Sequence, residues 1–371
     1  MNILILSWKG PGHPSAGGAE IVTLTHAKAW VSAGHEVTLF TSFYPGAKKD
    51  EMIGGVRIKR SGWQFFGVQI NAFFWYLFGK HAKIDLVIDE FHGLPFFTPF
   101  YVRVRKLGFI HEVAGEVWKL NPWPRPFNLI PSILGTLFEP VIFLFYRKVP
   151  FMTVSESTRN DLVLWKIPRR NITIVHNGIS VDLPQKSFLK ESKYTAMYLG
   201  AISEDKGTED AVRAFAEINR KDEEWQFWIV GPGVKDLIDK LKALAEELEI
   251  IGKLKFWGFV TDKKKFELLA RAHVLINPSV HEGWGLVNIE ANSVETPVIA
   301  YNVHGIKDSV KDGETGILVE KGDYRSLAEN AIKLVKDRHK YAIFQEKARK
   351  WSKRFTWEKT IKESTQLIES L

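Results

Sequence analysis

The sequence predicts an α/β protein with two doubly wound parallel sheets, and three observations support this prediction. Short apolar strands alternate with glycine-rich loops and periodic helices along the chain. The alternation restarts near residue 194, after a polar stretch with little periodicity. The length of 371 residues is too great for one small core and fits two domains of ordinary size. We therefore expect two Rossmann-like domains that face each other across a cleft.

The first half of the chain opens with an apolar strand at residues 2–7. A loop rich in glycine and proline then leads into a helix with apolar periodicity at residues 21–33, and Gly34 ends this helix. This half is predicted to form a first domain over residues 1–180. Its further strands are predicted at residues 36–40, 85–89, 107–111, 151–154 and 172–175.

The second half repeats the pattern, and a linker is expected at residues 181–193, where Pro184 lies in a polar stretch. A second domain at residues 194–353 and a closing segment at residues 354–371 follow. Because ligands of open parallel sheets bind beyond the carboxyl ends of the strands, we expect the site in the cleft between the sheets. The strands of the second domain are predicted at residues 196–200, 226–231, 254–258, 274–277 and 297–300.

The composition is that of a soluble globular protein, with 45% apolar and 25% charged residues. The absence of cysteine excludes disulfides, thiolate chemistry and cysteine-based zinc sites. Residues 1–8 have no basic start and turn directly into a loop, so no signal peptide is predicted. No uninterrupted apolar run reaches 18 residues, and a membrane-spanning helix is not expected.

The positive charge is concentrated in the first domain. Residues 1–180 contain 20 Lys and Arg against 12 Asp and Glu, whereas the remaining residues contain 31 of each. Aromatic stretches at residues 63–66, 73–78 and 127–146 accompany this charge, a composition typical of a surface that lies on an anionic membrane. Burial of the aromatic side chains in the first core is the alternative. No dense basic run or nucleic-acid motif is present, so no nucleic acid partner is expected.

Two glutamates stand eight positions apart in the second half, with Glu282 in a glycine-flanked loop and Glu290 inside the predicted helix from Leu286 to Val294. Gly283 and Gly285 allow the backbone to approach a ligand and direct N–H groups towards hydroxyls or phosphate. A carboxylate accepts hydrogen bonds from vicinal hydroxyls. Taken alone, such a pair more often marks an ordinary helix entry, and only the rest of the chain favours a sugar nucleotide site.

Further motifs follow one another in a defined order over nearly the whole chain. The motifs are Gly17–Glu20, Gly34–Thr38, Val154–Ser157, His176–Ile179, Gly200 with Lys206 and Gly207, Gly231–Gly233, Phe256–Val260, Pro278–Ser279, Glu282–Glu290 and Asp312–Val319. In this order and spacing they resemble the retaining GT-B glycosyltransferases of family 4, and the resemblance implies an enzyme, a hexosyltransferase.

The resemblance implies a role for each donor-site residue. Glu282 would approach the donor sugar, Glu290 would hold the nucleotide ribose, and Lys206 would neutralise the diphosphate leaving group. The other residues implied to bind the donor are Gly17, Gly18, Gly200, Gly231, Gly283, Trp284, Gly285, Leu286 and Val287, the last five through their backbone amides.

His111 ends a predicted strand and opens a loop, so it is expected to point into the cleft. It resembles the family histidine beside the anomeric carbon, and together with Glu282 and Lys206 it is the catalytic set that the resemblance implies. A structural loop histidine is the alternative. His92 is a poorer candidate for the same role, and His13 and His304 are expected in loops near the cleft.

Two positions depart from the family pattern. Ala201 follows Gly200 where family members commonly carry an arginine that contacts the diphosphate, so one cation of the usual pair is missing. A neighbouring residue could replace it, the donor affinity could be lower, or the donor could be unusual. Glu295 stands where a glycine is common. Arg354–Glu358 and the following helix resemble the segment that crosses back over the first domain, with Phe355 and Trp357 as apolar anchors.

The resemblance implies a retaining transfer by front-face attack, in which the leaving phosphate takes the acceptor's proton. No Asp-x-Asp motif ends a strand, so no metal and no other cofactor are expected. The donor is expected to be a UDP- or GDP-hexose of the glucose or mannose class. A lipid-linked or glycan acceptor is expected, and the protein should be cytoplasmic and peripheral on the cytoplasmic face of the membrane.

Two other functions remain open from the sequence. A sugar-nucleotide epimerase with the GT-B fold would act on the donor alone, without an acceptor. A non-catalytic protein that binds a sugar nucleotide or a membrane is the second alternative. Ala201 favours that second alternative, whereas Lys206, Glu282 and His111 argue against it.

Overall fold

A computed structural model describes the chain apart from residues 15, 65, 92, 116–117, 119–128 and 181–187 and the side chain of residue 131. The chain divides into two compact units. The first unit comprises Met1–Asn177 and Glu358–Leu371, and the second comprises Gly178–Trp357. Each unit is built around its own sheet.

The first unit contains an eight-stranded sheet, which is parallel except at one edge. Its strands are β1 (Asn2–Leu6), β2 (Glu36–Thr41), β3 (Asp50–Ile53), β4 (Val56–Arg60), β5 (Leu86–Phe91), β6 (Arg105–Ile110), β7 (Phe151–Thr153) and β8 (Ile172–Ile174). They pair in the order β3-β4-β2-β1-β5-β6-β7-β8. The central strands β1 and β5 are buried on both faces, which explains why they appear in the sequence as continuous apolar runs.

The helices that cover this sheet are α1 (Gly18–Ser32), α2 (Phe66–Phe78), α3 (Thr98–Tyr101), α4 (Leu129–Phe145) and α5 (Glu156–Leu164). Helix α1 begins three residues before its predicted start. Gly17 is its N-cap residue, and the Glu20 carboxylate accepts a hydrogen bond from the Gly17 amide at 2.5 Å. This hydrogen bond is one half of a capping box, because Gly17 has no side chain to make the other half, and it extends the helix towards the glycines.

The antiparallel hairpin β3–β4 at the sheet edge was not predicted. Gly54 and Gly55 connect its strands with φ angles of 59° and 81°, the conformation of a tight type I′ turn that glycine adopts without strain. Arg57 and Asp50 form an ion pair across the hairpin at 2.6 Å. Charged side chains of this kind protect an edge strand from pairing with another chain.

The second unit contains a six-stranded sheet whose described strand pairs are all parallel. Its strands are β9 (Tyr194–Leu199), β10 (Trp225–Val230), β11 (Leu254–Gly258), β12 (Val274–Asn277), β13 (Val298–Tyr301) and β14 (Gly316–Val319). The order β11-β10-β9-β12-β13-β14 reverses direction between β9 and β12. This is the doubly wound order of a Rossmann-like domain, and the reversal is the switch point where such sheets bind ligands.

The helices of the second unit alternate with its strands. They are α6 (Thr208–Lys221), α7 (Lys235–Glu247), α8 (Asp262–Arg271), α9 (Leu286–Ser293), α10 (Ile306–Ser309), α11 (Tyr324–Lys336) and α12 (Arg338–Ser352). The predicted linker lies partly outside the described residues. Its described part packs on this unit, because the Lys190 ammonium donates hydrogen bonds to the Ala272 carbonyl at 2.6 Å and to Thr296 Oγ1 at 2.8 Å. Burial lowers the pKa of Lys190 to about 7.

The last helix, α13 (Trp357–Ser370), belongs from Glu358 onwards to the first unit. Ser364 Oγ lies 2.9 Å from His26 Nδ1 and accepts a hydrogen bond from the Trp30 indole at 3.3 Å. Burial lowers the pKa of His26 to about 3, so the imidazole is neutral in this core. Phe355, just before the helix, packs instead on Trp284 of the second unit, with ring centroids 5.0 Å apart.

The eleven predicted strands are all present, and each end lies within two residues of its predicted position. The aromatic stretches divide between the core and the surface. Phe143 and Tyr146 are buried, whereas the outward sides of α2 and α4 are exposed. Helix α4 runs through Pro140 and was not predicted as one element. Among the described residues, no helix combines the length and apolarity that a membrane crossing requires.

We call the exposed side of α2, α3 and α4 the apolar face. Ring contacts connect its three helices. The ring centroids of Phe73 in α2 and Tyr101 in α3 are 5.0 Å apart, and those of Phe100 in α3 and Phe145 in α4 are 4.8 Å apart. Its exposed side chains include Phe66, Ile70, Phe74, Leu77 and Phe78 of α2, Phe100 of α3, and Leu129, Ile133, Leu137, Phe138, Val141 and Phe145 of α4.

A buried carboxylate connects the apolar face to the sheet. Asp89 in β5 accepts hydrogen bonds from the Phe96 amide at 2.9 Å, from Thr98 Oγ1 at 2.8 Å and from the Tyr146 hydroxyl at 2.5 Å. Burial raises its pKa. Asp89 therefore secures the start of α3 and the chain just after α4 against the centre of the sheet.

We expect Asp89→Ala to destabilise the first unit by roughly 3 kcal/mol or more, because each buried donor left without an acceptor costs roughly 1–3 kcal/mol. Asp85→Ala is the matched control, since Asp85 accepts a hydrogen bond from the Asn2 amide at the other end of the strand. Denaturant unfolding followed by circular dichroism measures both. Equal free energies of unfolding for the two variants would contradict the anchoring role of Asp89.

Candidate active site

The loop between β12 and α9 contains the first of the two candidate glutamates. Glu282 lies in this loop, and Glu290 lies in the second turn of α9. Gly285 is the N-cap residue of α9 with φ 71° and ψ 55°, and it has no side chain that could cap the first turn. The positive end of the helix dipole therefore meets the loop without a competing side-chain acceptor at its N-cap.

A buried chain of amide and hydroxyl groups sets the direction of α9. The Asn277 side-chain amide donates to Asn288 Oδ1 at 2.8 Å, and the Asn288 amide donates to Ser309 Oγ at 2.9 Å. Asn277 Oδ1 accepts a hydrogen bond from the Ser279 amide at 3.2 Å. The first turn of α9 is thereby joined to the end of β12. Neither asparagine could be identified from the sequence, because nothing in their spacing indicates a contact.

The loop between β9 and α6 contains Lys206, and it lies against the loop that contains Glu282. The Lys206 ammonium lies 2.9 Å from Glu282 Oε1 and 3.9 Å from Asp205 Oδ2. The Asp205 carbonyl accepts hydrogen bonds from the Val280 amide at 3.0 Å and from Ser279 Oγ at 3.3 Å. Both loops follow the strands at which the sheet order reverses, so the structure brings two candidate catalytic residues together at the switch point.

Gly207 makes this close approach of the two loops sterically feasible. Its backbone is left-handed, with φ 65° and ψ 28°, and it forms the N-cap of α6. A Cβ atom at this position would lie 2.1 Å from the Pro278 carbonyl oxygen, which is far inside van der Waals contact. Any other residue would therefore move the Lys206 loop away from the end of β12.

The ends of β9 and β10 meet at the two glycines Gly200 and Gly231. A Cβ atom on Gly231 would lie 1.8 Å from the Gly200 carbonyl oxygen. Ala201, which follows, is exposed, and its carbonyl accepts a hydrogen bond from the Tyr198 hydroxyl at 2.7 Å. The backbone at the position of the usual arginine is thus held in place, although Ala201 contributes no cation.

Glu290 has a cationic partner that sequence analysis missed. Lys265 of α8 lies 2.7 Å from Glu290 Oε1 and 2.9 Å from Asp262 Oδ1. Burial alone would lower the pKa of Lys265, but Glu290 and Asp262 outweigh this effect and raise it. Lys265 therefore remains charged beside Glu290, whose carboxylate can accept further hydrogen bonds.

Two family models match the chain. Residues 181–351 match glycosyl transferases group 1, and residues 16–183 match glycosyltransferase family 4. Together the two matches span nearly the whole chain, and they meet near the boundary between the two units. The chain belongs to the family-4 glycosyltransferases.

Curated relatives of this glycosyltransferase are themselves sugar-transferring enzymes. It is 31% identical over 201 residues to the capsular polysaccharide biosynthesis glycosyltransferase CapM of Staphylococcus aureus, a match that covers 50% of the chain and only about half, 52%, of CapM. It is 28% identical over 364 residues to N-acetyl-alpha-D-glucosaminyl L-malate synthase of Bacillus anthracis, with 91% of the chain and 89% of that enzyme covered.

Solved structures confirm the predicted GT-B fold. Sucrose-phosphate synthase from Thermosynechococcus elongatus is similar with a TM-score of 0.80 at 20% identity, covering 100% of the chain and 98% of that protein. HepE from Anabaena, solved in complex with UDP-glucose, is similar with a TM-score of 0.76 at 18% identity, and both chains are fully covered.

In the first unit of the glycosyltransferase, His111 comes directly after β6. Its Nε2 lies 3.3 Å from Oε1 of Glu90, a buried carboxylate of β5. Thr23 of α1 donates its hydroxyl proton to the same oxygen at 2.5 Å. With its proton on Nε2, His111 donates to Glu90, which sets the orientation of the ring.

The candidate residues are thus distributed over both units. Lys206, Gly200, Gly231, the stretch Gly283–Val287 and the two glutamates belong to the second unit, whereas His111, Gly17 and Gly18 belong to the first. His92 lies outside the described residues. His304 lies near His281, with ring centroids 6.3 Å apart, in a loop at the ends of β12 and β13.

We expect Gly207→Ala to weaken the binding of UDP or GDP, because a left-handed alanine carries roughly 1–3 kcal/mol of strain and its methyl group would displace the Lys206 loop. Gly252→Ala is the matched control, since a Cβ atom there meets nothing within 4 Å at an ordinary φ. Calorimetric titration measures both. Unchanged affinity in Gly207→Ala would show that the loop position does not matter for the nucleotide.

Proposed function

We propose that this glycosyltransferase is a retaining, metal-independent hexosyltransferase. It transfers a sugar of the glucose or mannose class from a UDP- or GDP-hexose to a lipid-linked or glycan acceptor. The observation that carries the proposal is the contact of Lys206 with Glu282 at the switch point, directly before the N-terminus of α9.

The diphosphate of the donor fits this arrangement on electrostatic grounds. The Lys206 ammonium and the N-terminal amides of α9 offer positive charge and hydrogen-bond donors at one place. When a diphosphate binds, Lys206 can exchange Glu282 for a phosphate oxygen. Glu282 then accepts a hydrogen bond from a hydroxyl of the transferred sugar.

The nucleoside end of the donor is assigned to Glu290. Its carboxylate, held by the charged Lys265, can accept hydrogen bonds from both ribose hydroxyls. A uridine nucleotide is favoured as the donor because the structural neighbour HepE was solved in complex with UDP-glucose. GDP-hexoses remain the second donor class in the proposal.

Catalysis in this proposal relies on stabilisation of the leaving group. As the bond between the sugar and the diphosphate breaks, negative charge accumulates on the phosphate, and Lys206 with the α9 amides stabilises it. These fixed groups supply the positive charge that a divalent ion would otherwise provide. The acceptor hydroxyl attacks from the side of the leaving group and gives its proton to the departing phosphate, so the configuration is retained. The family resemblance assigns His111 to the acceptor side.

The apolar face favours an acceptor that lies in a membrane. Helices α2, α3 and α4 contain one charged residue between them, Glu139, and this residue is buried. Leu137 and Phe78 are 63% and 76% exposed, and both belong to the apolar face. Single exposed apolar residues are common on protein surfaces, whereas an apolar patch formed by three helices indicates an interaction site.

Basic side chains stand just after each helix of the apolar face, and they favour an anionic bilayer as the partner of this face. Exposed Lys80, Arg103 and Arg147 each stand two residues after the end of α2, α3 and α4 respectively. Basic residues beside an apolar surface bind anionic lipid head groups while the apolar side chains enter the bilayer. We therefore propose a peripheral location on the cytoplasmic membrane surface, where a lipid-linked acceptor is accessible.

The glutamates should separate by role. We expect Glu282→Gln to lower turnover at least about tenfold while nucleotide affinity stays near that of the wild type. We expect Glu290→Gln to weaken the binding of the free nucleotide about tenfold, because a charge-assisted hydrogen bond contributes about this factor. Glu217→Gln is the matched control, because Glu217 pairs with Arg220 on α6. Calorimetry measures the affinities, and release of nucleotide from the sugar donor measures turnover.

A thermal-shift screen with UDP, GDP, ADP and their sugars first selects the donor, since a ligand at about 100 times its Kd adds roughly 2.7 kcal/mol of stability. The proposal fails if no nucleotide stabilises the protein. Equal affinities in wild type and Glu290→Gln would overturn the ribose assignment. Loss of turnover in EDTA that magnesium restores would refute the metal-independent mechanism, and conversion of the donor to an isomeric sugar nucleotide would identify an epimerase.

The full chain should co-sediment with vesicles that contain phosphatidylglycerol, and salt should weaken this binding, because each basic residue near an anionic surface contributes about 1 kcal/mol. Leu137→Glu should reduce the bound fraction several-fold. Leu164→Glu is the matched control, since Leu164 is an exposed leucine of α5 in the same unit but outside the apolar face. Equal binding of the two variants would remove the support for a membrane role of this face.

A further inference from the structure

Helix α4 has two sides with opposite chemistry. Its outward side belongs to the apolar face. Ser132, Gly135 and Glu139 recur at intervals of three and four residues, so they lie along one inward side of the helix. Their small or polar side chains stand where an ordinary helix would place apolar core residues.

The inward side of α4 holds part of the chain that follows β6. The Glu139 carboxylate accepts hydrogen bonds from the Ala114 amide at 3.0 Å, the Gly115 amide at 3.0 Å and the Trp118 indole at 2.8 Å. Ser132 Oγ donates to the Trp118 carbonyl at 2.9 Å. We call Ala114, Gly115 and Trp118 the clamped residues.

The packing between α4 and Trp118 is as close as the backbone permits. A Cβ atom on Gly135 would lie 2.2 Å from the Trp118 ring, so only glycine allows the indole to lie against the helix. Glu139 itself is 2% exposed. Burial raises its pKa to about 7, against the opposing effect of the three hydrogen bonds that it accepts. A buried carboxylate is costly unless it is well hydrogen-bonded, so this one indicates a specific positional role.

The clamped residues begin three positions after His111. The His111 ring faces Glu90, and the backbone carbonyl of His111 accepts a hydrogen bond from Thr158 Oγ1 at 3.1 Å. The loop that His111 opens is therefore held by the sheet and α5 at its start, and by α4 at Ala114, Gly115 and Trp118. Of these supports, α4 is the one that belongs to the apolar face.

We propose that Glu139 is a positioning residue that transmits membrane docking to the loop behind His111. When the apolar face enters a bilayer, α4 is stabilised in its observed place, and the hydrogen bonds from Glu139 order the clamped residues. Without the bilayer, α4 leaves its apolar side in water and the clamp opens more often. The inference rests on the membrane location in the proposed function, and it adds that the membrane regulates the loop beside the acceptor-side histidine.

The energetic basis is a shift between two populations. Docking buries apolar surface that is exposed in solution, and this free energy is gained only when α4 is in place. Local opening of a helix and the loop that it holds is a common low-stability fluctuation, which a ligand that prefers the closed state suppresses. Protection of the Ala114 and Gly115 amides from hydrogen exchange reports the closed state directly.

Hydrogen exchange of the full chain, read by mass spectrometry with and without vesicles of phosphatidylcholine and phosphatidylglycerol, tests the coupling. In the wild type, vesicles should slow exchange both in α4 and at Ala114 and Gly115. Glu139→Gln keeps the size of the side chain but can accept through only one oxygen. It should still co-sediment with vesicles, yet at pH 8, where Glu139 is mostly ionised, the Ala114 and Gly115 amides should exchange about tenfold faster than in the wild type, since a hydrogen bond to a charged group contributes at least this factor.

Leu137→Glu and Leu164→Glu complete the comparison. In Leu137→Glu, vesicles should no longer slow exchange in α4 or at Ala114 and Gly115, whereas in Leu164→Glu they should slow exchange as in the wild type. Calorimetric UDP or GDP affinity of Glu139→Gln should equal that of the wild type, because Glu139 contacts Ala114, Gly115 and Trp118, and none of these three residues is assigned to the nucleotide. Vesicle binding that leaves Ala114 and Gly115 unchanged overturns the coupling, as does equal vesicle protection of these amides in Glu139→Gln and wild type. Dimers of the full chain without vesicles, abolished by Leu137→Glu, would assign the face to a second copy and also overturn it. None of these results affects the donor assignment.

Discussion

The contact between Lys206 and Glu282 depends on the reversal of strand order between β9 and β12. The reversal separates the helices after these strands, and the two loops meet in the gap, joined by the Asp205 carbonyl and the Val280 amide. A shift of either loop would part the cation from the carboxylate. The glycines, asparagines and hydroxyls around the pair therefore hold two opposite charges in contact at the switch point.

The first unit has a different physical constraint, because it holds in place an apolar surface that is exposed to water. Asp89 connects the start of α3 and the end of the α4 segment to the sheet, while Glu90 on the same strand orients His111. Adjacent residues of a strand point to opposite faces, so β5 serves both tasks with neighbouring carboxylates. The apolar face and the candidate histidine are thus held by a common strand, and Glu139 adds a second connection between them.

Much of the fold could be predicted from the sequence, since a buried parallel strand needs a continuous apolar run and leaves a clear pattern. The hairpin around Gly54 was missed although the Gly-Gly pair is itself a turn signal. Helix α4 was missed because Pro131, Gly135 and Pro140 weaken its local helical signal, which packing on the first unit overrides. For the candidate site, the glycine loops, Lys206 and both glutamates could be named from motifs, whereas Lys265, Asn277 and Asn288 could not, because their partners are distant in sequence.

By itself, the sequence determined the two α/β halves, the family to which the chain belongs and the residue types at the donor loops. These properties follow from local periodicity and from motifs that are contiguous along the chain. Only the tertiary structure decided which side of each aromatic helix faces water, which carboxylates are buried and which charges pair. Burial and pairing depend on residues far apart in sequence, as Glu139 with Ala114 and Lys206 with Glu282 illustrate, and no local pattern specifies such contacts.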